Sequence, residues 1–170
     1  MKSSDEIYHE ELWVFWGWLV VGLFFATAVA MIVLFFVQRA HGPIGENPAP
    51  DLVYLIMAAC FMATGLFMIF FVRLTISMDP RGITAGYGPF RHFEPWGNIA
   101  SIERNHRVAL LAFGGWGIRR LYRKGGWVLV YNVMGAPILL LTLKTGKKKY
   151  FGFSTKHPDD VTALIKSWKH

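Results

Sequence analysis

Basic and aromatic side chains are interleaved in a short stretch of the second half of the chain. Four cations fall between Arg119 and Lys124, and a second basic group runs from Lys144 to Lys149. Such a mixture suits an anionic surface, because the charges attract phosphates and the rings can enter a lipid interface. The predicted lipid- or partner-binding residues are Trp116, Arg119, Arg120, Tyr122, Arg123, Lys124, Trp127, Lys144, Lys147, Lys148 and Lys149.

The spacing of the other reactive residues indicates no catalytic or metal centre. The glycine-rich segment 114–117 lacks the Gly-Lys-Ser/Thr of a phosphate loop and the strand–helix context of a dinucleotide fingerprint. The six His show no metal-ligand spacing, although His92 and His106 could meet across strands near Glu94 and Glu103. We therefore expect no enzyme activity, no cofactor and no bound metal.

Two apolar runs without a charged residue occupy the first half of the chain: Leu12 to Val37, and Leu52 to Val72. As helices they would extend roughly 39 and 32 Å, and a bilayer core is about 30 Å thick. The acidic amino-terminal flank and the length of the first run disfavour a signal peptide. The sequence predicts two transmembrane helices.

Small residues are spaced along both apolar runs as they are where helices approach closely. Gly22, Ala26 and Ala30 recur every four residues in the first run, and Ala59 and Ala63 do so in the second. We interpret them as the seam of a helical hairpin. The same stripe could instead receive a helix of another membrane protein.

Charge predicts the orientation of this hairpin. Sixteen of the 18 Lys and Arg lie at or beyond Arg73, and that part of the chain carries a formal charge of +11, against +7 for the whole. The positive-inside tendency predicts a multi-pass protein of the inner or plasma membrane with both termini in the cytoplasm. The predicted divisions are a cytoplasmic tail 1–11, a transmembrane hairpin 12–72 and a cytoplasmic domain 73–170.

The domain after the hairpin has the pattern of an antiparallel β structure with a terminal helix. Short alternating segments are separated by Gly and Pro turns, and Val161, Leu164, Ile165 and Trp168 form one apolar helical stripe that should close the sheet. The predicted strands are 74–78, 83–87, 91–94, 98–105, 127–133, 138–143 and 148–153, and 108–113 continues the sheet or leads out of it.

Short motifs in this region resemble the bacterial pleckstrin-homology-like (bPH) domains that follow a pair of membrane helices. They are the Leu-Thr-Ile strand after the second run, Asp-Pro-Arg-Gly-Ile at 79–83, Pro95-Trp96, and the closing segment 154–160. The resemblance implies an α+β membrane protein: two transmembrane helices, then a PH-like antiparallel sandwich or barrel of about seven strands capped by a C-terminal helix. It brings no catalytic residues.

These features predict a non-catalytic, membrane-anchored interaction or scaffold protein that helps to assemble or stabilise a membrane complex. The expected partners are the lipid bilayer and a membrane protein or a second copy of the chain. An alternative is a module that senses anionic phospholipid headgroups through the basic and aromatic residues. An enzyme whose site forms against the bilayer is a third hypothesis. The charge excess lies where a membrane protein would carry it, so nucleic acid is not the expected partner.

Overall fold

The computed structural model describes residues 7–43, 45, 48–105, 115–123 and 125–168 of an α+β protein. The chain forms two compact units. Phe15–Val72 is a helical hairpin, and the segments on either side of it fold together into a β structure with one helix. The predicted α+β class is confirmed.

The hairpin consists of α1 (Phe15–His41), α2 (Asp51–Met68) and a 3₁₀ turn (Ile69–Phe71). Both helices are long and apolar enough to cross a membrane. Gly42, with φ at 90°, follows the end of α1. The Gln38 side-chain amide donates hydrogen bonds to the Ala49 carbonyl (2.9 Å) and the Asp51 carboxylate (2.7 Å), and so ties the connection between the helices.

The helices pack through a different face from the predicted one. Gly22, Ala26, Ala30, Ala59 and Ala63 are all exposed on the hairpin, so the predicted seam is wrong. The seam instead includes four buried residues, namely Val21, Ala28, Ala58 and Gly65.

Aromatic rings determine this choice of face. A Cβ atom at Gly65 would lie 3.3 Å from the Phe24 Cβ and 3.3 Å from the Phe25 ring, whereas a Cβ at Gly22 would meet nothing within 4 Å. The rings of Phe24 and Phe61 are 6.1 Å apart. Gly65 leaves space for the aromatic rings of the facing helix, so the two helices can approach closely there. The predicted stripe of small residues has no bulky side chain opposite Gly22 to fill such a space.

Replacing Gly65 with Leu should therefore overpack the hairpin and cost about 1–3 kcal/mol. The matched change Gly22→Leu enters open space and should cost less than about 1 kcal/mol. Unfolding by dodecyl sulfate, followed by far-UV circular dichroism of the full chain, compares the two. Equal losses in the two variants would contradict the Gly65 seam.

The β unit begins with a four-stranded antiparallel sheet. Its strands are β1 (Tyr8–Trp13), β2 (Arg73–Asp79), β3 (Gly82–Tyr87) and β4 (Phe90–Pro95), in the order β1-β2-β3-β4. The sequence predicts the last three. The tight β2–β3 turn forms because the Asp79 carboxylate accepts hydrogen bonds from the backbone N–H groups of Arg81 (2.8 Å) and Gly82 (3.0 Å).

A second sheet of five strands follows. Its strands are β5 (Ile99–Asn105), β6 (Gly117–Arg123), β7 (Gly126–Asn132), β8 (Ile138–Leu143) and β9 (Lys148–Ser154), in the order β5-β8-β9-β7-β6. The strands predicted at 98–105, 127–133, 138–143 and 148–153 are confirmed. The predicted continuation at 108–113 lies outside the described residues. A prediction that pairs each strand with the next one in a hairpin gives only antiparallel pairs, so it does not include the parallel β7–β9 pair.

The sequence predicts about seven strands and neither β1 nor β6, whereas the described residues form nine, and β1 is the main difference. The sequence predicts a separate tail over residues 1–11 and a helix that begins at Leu12, yet Tyr8–Trp13 pairs along its whole length with β2. Glu10 and Leu12 are buried and Trp13 is exposed, as the alternation of a strand requires. Leu12 and Trp13 are continuous with the apolar residues of α1, so the sequence does not indicate where the strand ends and the helix begins.

Side chains from both sheets form the core of the β unit. The phenol of Tyr87 stacks against Tyr131 and donates a 2.6 Å hydrogen bond to the Asn132 carbonyl. A terminal helix, α3 (Pro158–Trp168), buries Val161 and Ile165. Trp168 remains 39% exposed, so the predicted apolar stripe is buried only in part. Fully buried core residues include Leu74, Ile76, Ile83, Ala85, Leu139, Leu141, Phe151 and Phe153.

A buried carboxylate joins β1 to the segment that leads into α3. Glu10 accepts hydrogen bonds from the Tyr8 phenol (2.9 Å), the Thr155 hydroxyl (2.5 Å) and the Lys156 backbone N–H (2.7 Å). Burial, followed by the effect of Glu10, raises the pKa of Tyr8 to about 12. The first described strand is thus fixed to both β2 and the chain after β9.

Glu10→Ala should destabilise the β unit by on the order of 3 kcal/mol, because buried donors lose a charged acceptor. Glu11→Ala is the matched control. Glu11 is partly exposed and pairs at 3.0 Å with the exposed Arg73, so its loss should cost less than about 1 kcal/mol. Thermal unfolding of the full chain in detergent measures both variants. A loss for Glu10→Ala no larger than for Glu11→Ala would refute the anchoring role.

Candidate functional site

The structure gathers part of the predicted basic and aromatic set on three neighbouring strands. In the register, Tyr122 of β6 is opposite Trp127 of β7, which in turn is opposite Lys148 of β9. The Arg120 guanidinium carbon lies 5.1 Å from the centroid of the Trp127 ring. The Tyr122 ring meets Trp127 edge-on at 5.6 Å. Two separate sequence segments therefore contribute to one cluster.

Strand alternation divides the predicted set between the two faces of the sheet. Arg119 is opposite Val130, whereas Arg120 is opposite Leu129, so their side chains lie on opposite faces. Arg120 shares its face with Phe151, the partner of Leu129 on β9. This is the face directed towards the first sheet, since the Phe151 ring contacts His92 of β4. Consecutive arginines therefore do not form one patch.

The remaining predicted residues lie around this cluster or apart from it. Lys149 is exposed and packs on Gly126, and its ammonium is 5.8 Å from the Tyr150 ring centroid. Lys144 and Lys147 are exposed on the β8–β9 turn. Trp116 is half-buried just before β6. Arg123 ends β6, with its side chain outside the described part of the chain, and Lys124 lies outside the described residues altogether.

A network of polar side chains lies behind Lys148. His92 and Glu94 on β4 are opposite the buried core residues Ala85 and Ile83, so both face inward. The His92 Nε2 is 2.9 Å from the Glu94 Oε2, and its Nδ1 is 3.1 Å from the Lys148 Nζ. Asn98 donates a 2.6 Å hydrogen bond to the other Glu94 oxygen. The network links β4 of the first sheet to β9 of the second.

One tautomer of His92 satisfies both contacts. Nε2–H donates to the Glu94 carboxylate, and the Lys148 ammonium lies 3.1 Å from the unprotonated Nδ1 and 3.4 Å from Nε2 of the same ring. A neutral imidazole thus separates a buried carboxylate from a partly buried ammonium. The edge-on contact of the imidazole with the Phe151 ring, at 4.8 Å between centroids, fixes its orientation.

Burial favours the uncharged form of both nitrogen bases. It lowers the pKa of His92 from the ordinary 6.5, and the Lys148 charge lowers it further while Glu94 opposes the shift. Burial also lowers the pKa of Lys148, and the Arg120 charge acts in the same direction while Glu94 opposes it.

The sequence leaves open a meeting of His92 with His106, which lies outside the described residues. The partners found are Glu94 and Lys148. A signal for the first was present, because residues two apart on a strand share a face and His92 and Glu94 have that spacing. No local signal could indicate Lys148, since it comes from a strand of the other sheet.

This arrangement supplies cations, hydrogen-bond donors and exposed rings. Tyr122 is 66% exposed and Trp127 is 42% exposed, which is high for aromatic side chains beside a core. Among the described residues, no group of three or more His, Cys, Asp or Glu could hold a metal ion. The cluster is therefore suited to binding an anionic partner through charge and ring contacts.

Comparisons of the chain with family models, with curated proteins and with solved structures find no match.

The lowered pKa of His92 predicts a specific pH dependence of stability. Between the folded-state pKa and about 6.5, the unfolded chain binds a proton that the folded chain does not. The contribution of His92 to the free energy of unfolding is therefore fully present above about pH 6.5. It should be lost as the pH falls towards the folded-state pKa.

His92→Gln should remove this contribution, because an amide does not titrate. His157→Gln, at an exposed position before α3, is the control and should leave the pH dependence as it is in the unmodified chain. Thermal unfolding of the full chain in detergent between about pH 5 and 8 measures both. An unchanged slope in His92→Gln would contradict the role assigned to this histidine.

Proposed function

We propose that this chain is a non-catalytic, membrane-anchored interaction protein of the inner or plasma membrane. Its two apolar helices would span the bilayer as a hairpin, and its β unit would work in the cytoplasm. The length and composition of both helices support insertion. The motifs between Leu74 and Asp160 support a PH-like domain of the bPH type as the identity of the β unit, together with its two sheets and terminal helix.

One observation carries the membrane arrangement: β1 and β2 pair with each other although the whole hairpin separates them in the chain. Backbone pairing requires Tyr8–Trp13 and Arg73–Asp79 to lie on the same side of a bilayer. The intervening chain must then cross it an even number of times, which two helices satisfy. The positive charge after Arg73 supports the cytoplasm as that side.

Cysteine labelling tests this topology. Cys60, the only cysteine, is first changed to Ser, and a single cysteine is then placed at Pro48 in the interhelical loop or at Lys147 on the β8–β9 turn. Both positions are exposed. A membrane-impermeant maleimide added to intact spheroplasts should label Pro48→Cys and should label Lys147→Cys only after permeabilisation. The reverse pattern, or equal labelling of both, would contradict the proposed topology.

The proposed work of the protein is to hold a membrane protein, or a second copy of itself, in a complex. Exposed apolar side chains on both helices and the exposed rings of the β unit supply contact surface. Extraction in a mild detergent followed by native mass spectrometry should recover a stoichiometric complex. A homogeneous monomer at native expression level would contradict the scaffold function.

A second function, docking of the β unit on an anionic leaflet, is favoured by the exposed Trp127 with Arg120 over its ring. A cation and an aromatic side chain together provide both charge attraction and interfacial insertion. Hydrogen exchange of the full chain in nanodiscs should show β6 and β7 more protected with anionic phosphatidylglycerol than with phosphatidylcholine alone. Equal protection in both lipids would contradict docking.

A further inference from the structure

Two cations at the end of the inner sheet face differ from the other basic residues of the β unit. Arg120 stacks on Trp127, and Lys148 is the register partner of that same tryptophan. In the part of the chain that the structure describes, neither forms a salt bridge with a carboxylate. They belong to β6 and β9, the two strands that flank β7, and Trp127 of β7 neighbours both. We call Arg120 and Lys148 the cation pair.

Glu94, the carboxylate next to His92, is already engaged in hydrogen bonds. Glu94 accepts hydrogen bonds from His92 at one oxygen and from Asn98 at the other, and it is buried. The imidazole of His92 lies between Glu94 and the Lys148 ammonium. Glu94 therefore offsets part of the positive charge without occupying the donors of the cation pair.

We propose that the cation pair binds a phosphomonoester group. The proposal rests on the second proposed function and names the headgroup chemistry that this surface would select. A phosphomonoester carries close to two negative charges at neutral pH and three acceptor oxygens, which match two cations that have Trp127 as a common neighbour. A phosphodiester carries one charge and would leave the repulsion between Arg120 and Lys148 only partly relieved.

Each member of the cation pair is oriented by a neighbouring residue before a ligand arrives. The Trp127 ring holds the planar guanidinium, which can donate two parallel hydrogen bonds to phosphate oxygens. The His92 ring, with Nδ1 at 3.1 Å and Nε2 at 3.4 Å, holds the Lys148 ammonium in place, and that ammonium has three N–H donors in all. Preorganised side chains lose less freedom on binding, which raises affinity relative to the exposed lysines of the β8–β9 turn.

Calorimetry on the full chain in neutral detergent micelles tests the site with glycerol 3-phosphate, a soluble phosphomonoester. Glycerophosphoglycerol, a diester of similar size, is the ligand control. We expect the monoester to bind about tenfold more tightly than the diester at the same ionic strength. Equal affinity for the two ligands would overturn the proposal.

Substitutions assign the binding to the cation pair. Lys148→Met and Arg120→Gln should each weaken monoester binding about tenfold, while Lys144→Gln, the same loss of charge on an exposed turn, should change it less than about twofold. Arg120 lies outside the hydrogen-bonded network of Glu94, so its variant should fold even if Lys148→Met does not. Equal effects of Arg120→Gln and Lys144→Gln would overturn the assignment.

The pH dependence provides an independent readout. Affinity should rise as the ligand becomes dianionic above about pH 6. It should fall again as Lys148 loses its proton, below the pH range of an ordinary lysine, because the pKa of Lys148 is lowered from 10.5. The Lys148→Met variant should lack this fall, and a fall of equal size in that variant would exclude Lys148 as the residue that loses the proton.

Nanodiscs distinguish a lipid headgroup from a soluble ligand. Phosphatidic acid carries a phosphomonoester and phosphatidylglycerol a phosphodiester, and the two are compared at equal membrane charge by hydrogen exchange of β6 and β7. Stronger protection by phosphatidic acid supports a headgroup as the ligand. Calorimetric binding without such protection supports the site but contradicts a lipid source. Equal protection by both lipids, without calorimetric selectivity, overturns the phosphomonoester site and leaves charge-driven docking intact.

Discussion

The pairing of β1 with β2 is the constraint on which the rest of the structure depends. It joins two segments that the entire hairpin separates in the chain, along the full length of both strands. Closing such a long connection has an entropic cost that rises only slowly with its length, and the pairing must offset it. The backbone ladder, the buried Leu12 and the three hydrogen bonds to Glu10 provide that compensation. The apolar helices are thus an insertion within the β unit.

This connectivity has a consequence for folding order. Strand β1 has no strand to pair with until the hairpin has been synthesised and the chain forms β2. If the helices insert into a membrane as they are synthesised, β1 remains unpaired outside the membrane until Arg73–Asp79 emerges on the same side. The unpaired strand carries acidic residues at positions 10 and 11, which disfavour premature burial in lipid. Glu10 then becomes a buried hydrogen-bond acceptor once Thr155 and Lys156 are in place.

Much of the fold could be predicted from local patterns, whereas the site could be predicted only in part. Period-two alternation and turn residues indicate β2, β3, β8 and β9 closely, because each pattern is contained within a few neighbouring residues. The same reasoning missed β1, since Leu12 and Trp13 merge with the apolar helix that follows. It also missed the parallel β7–β9 pair, since parallel pairing joins strands that no short turn connects.

The basic and aromatic set illustrates the same limit at the level of single side chains. Composition indicated that charge and rings occur together, but β6 places Arg119 and Arg120 on opposite faces. Only Arg120 lies on the face with Trp127 and Lys148. The fold thus places neighbouring residues of the sequence on opposite faces of the sheet. It brings residues of β4, β6, β7 and β9 together in one cluster.

The position of His92 connects the core to this surface. Its ring packs on Phe151 in the core, while its nitrogens bridge Glu94 and Lys148. A direct contact between the carboxylate and the ammonium would pair the two charges and occupy the donors of Lys148. The imidazole contacts the ammonium through its ring nitrogens and adds no negative charge of its own. The attraction of Glu94 still partly counters the desolvation of Lys148. The β unit can therefore hold a cation at the end of its core with donors available to an anionic partner.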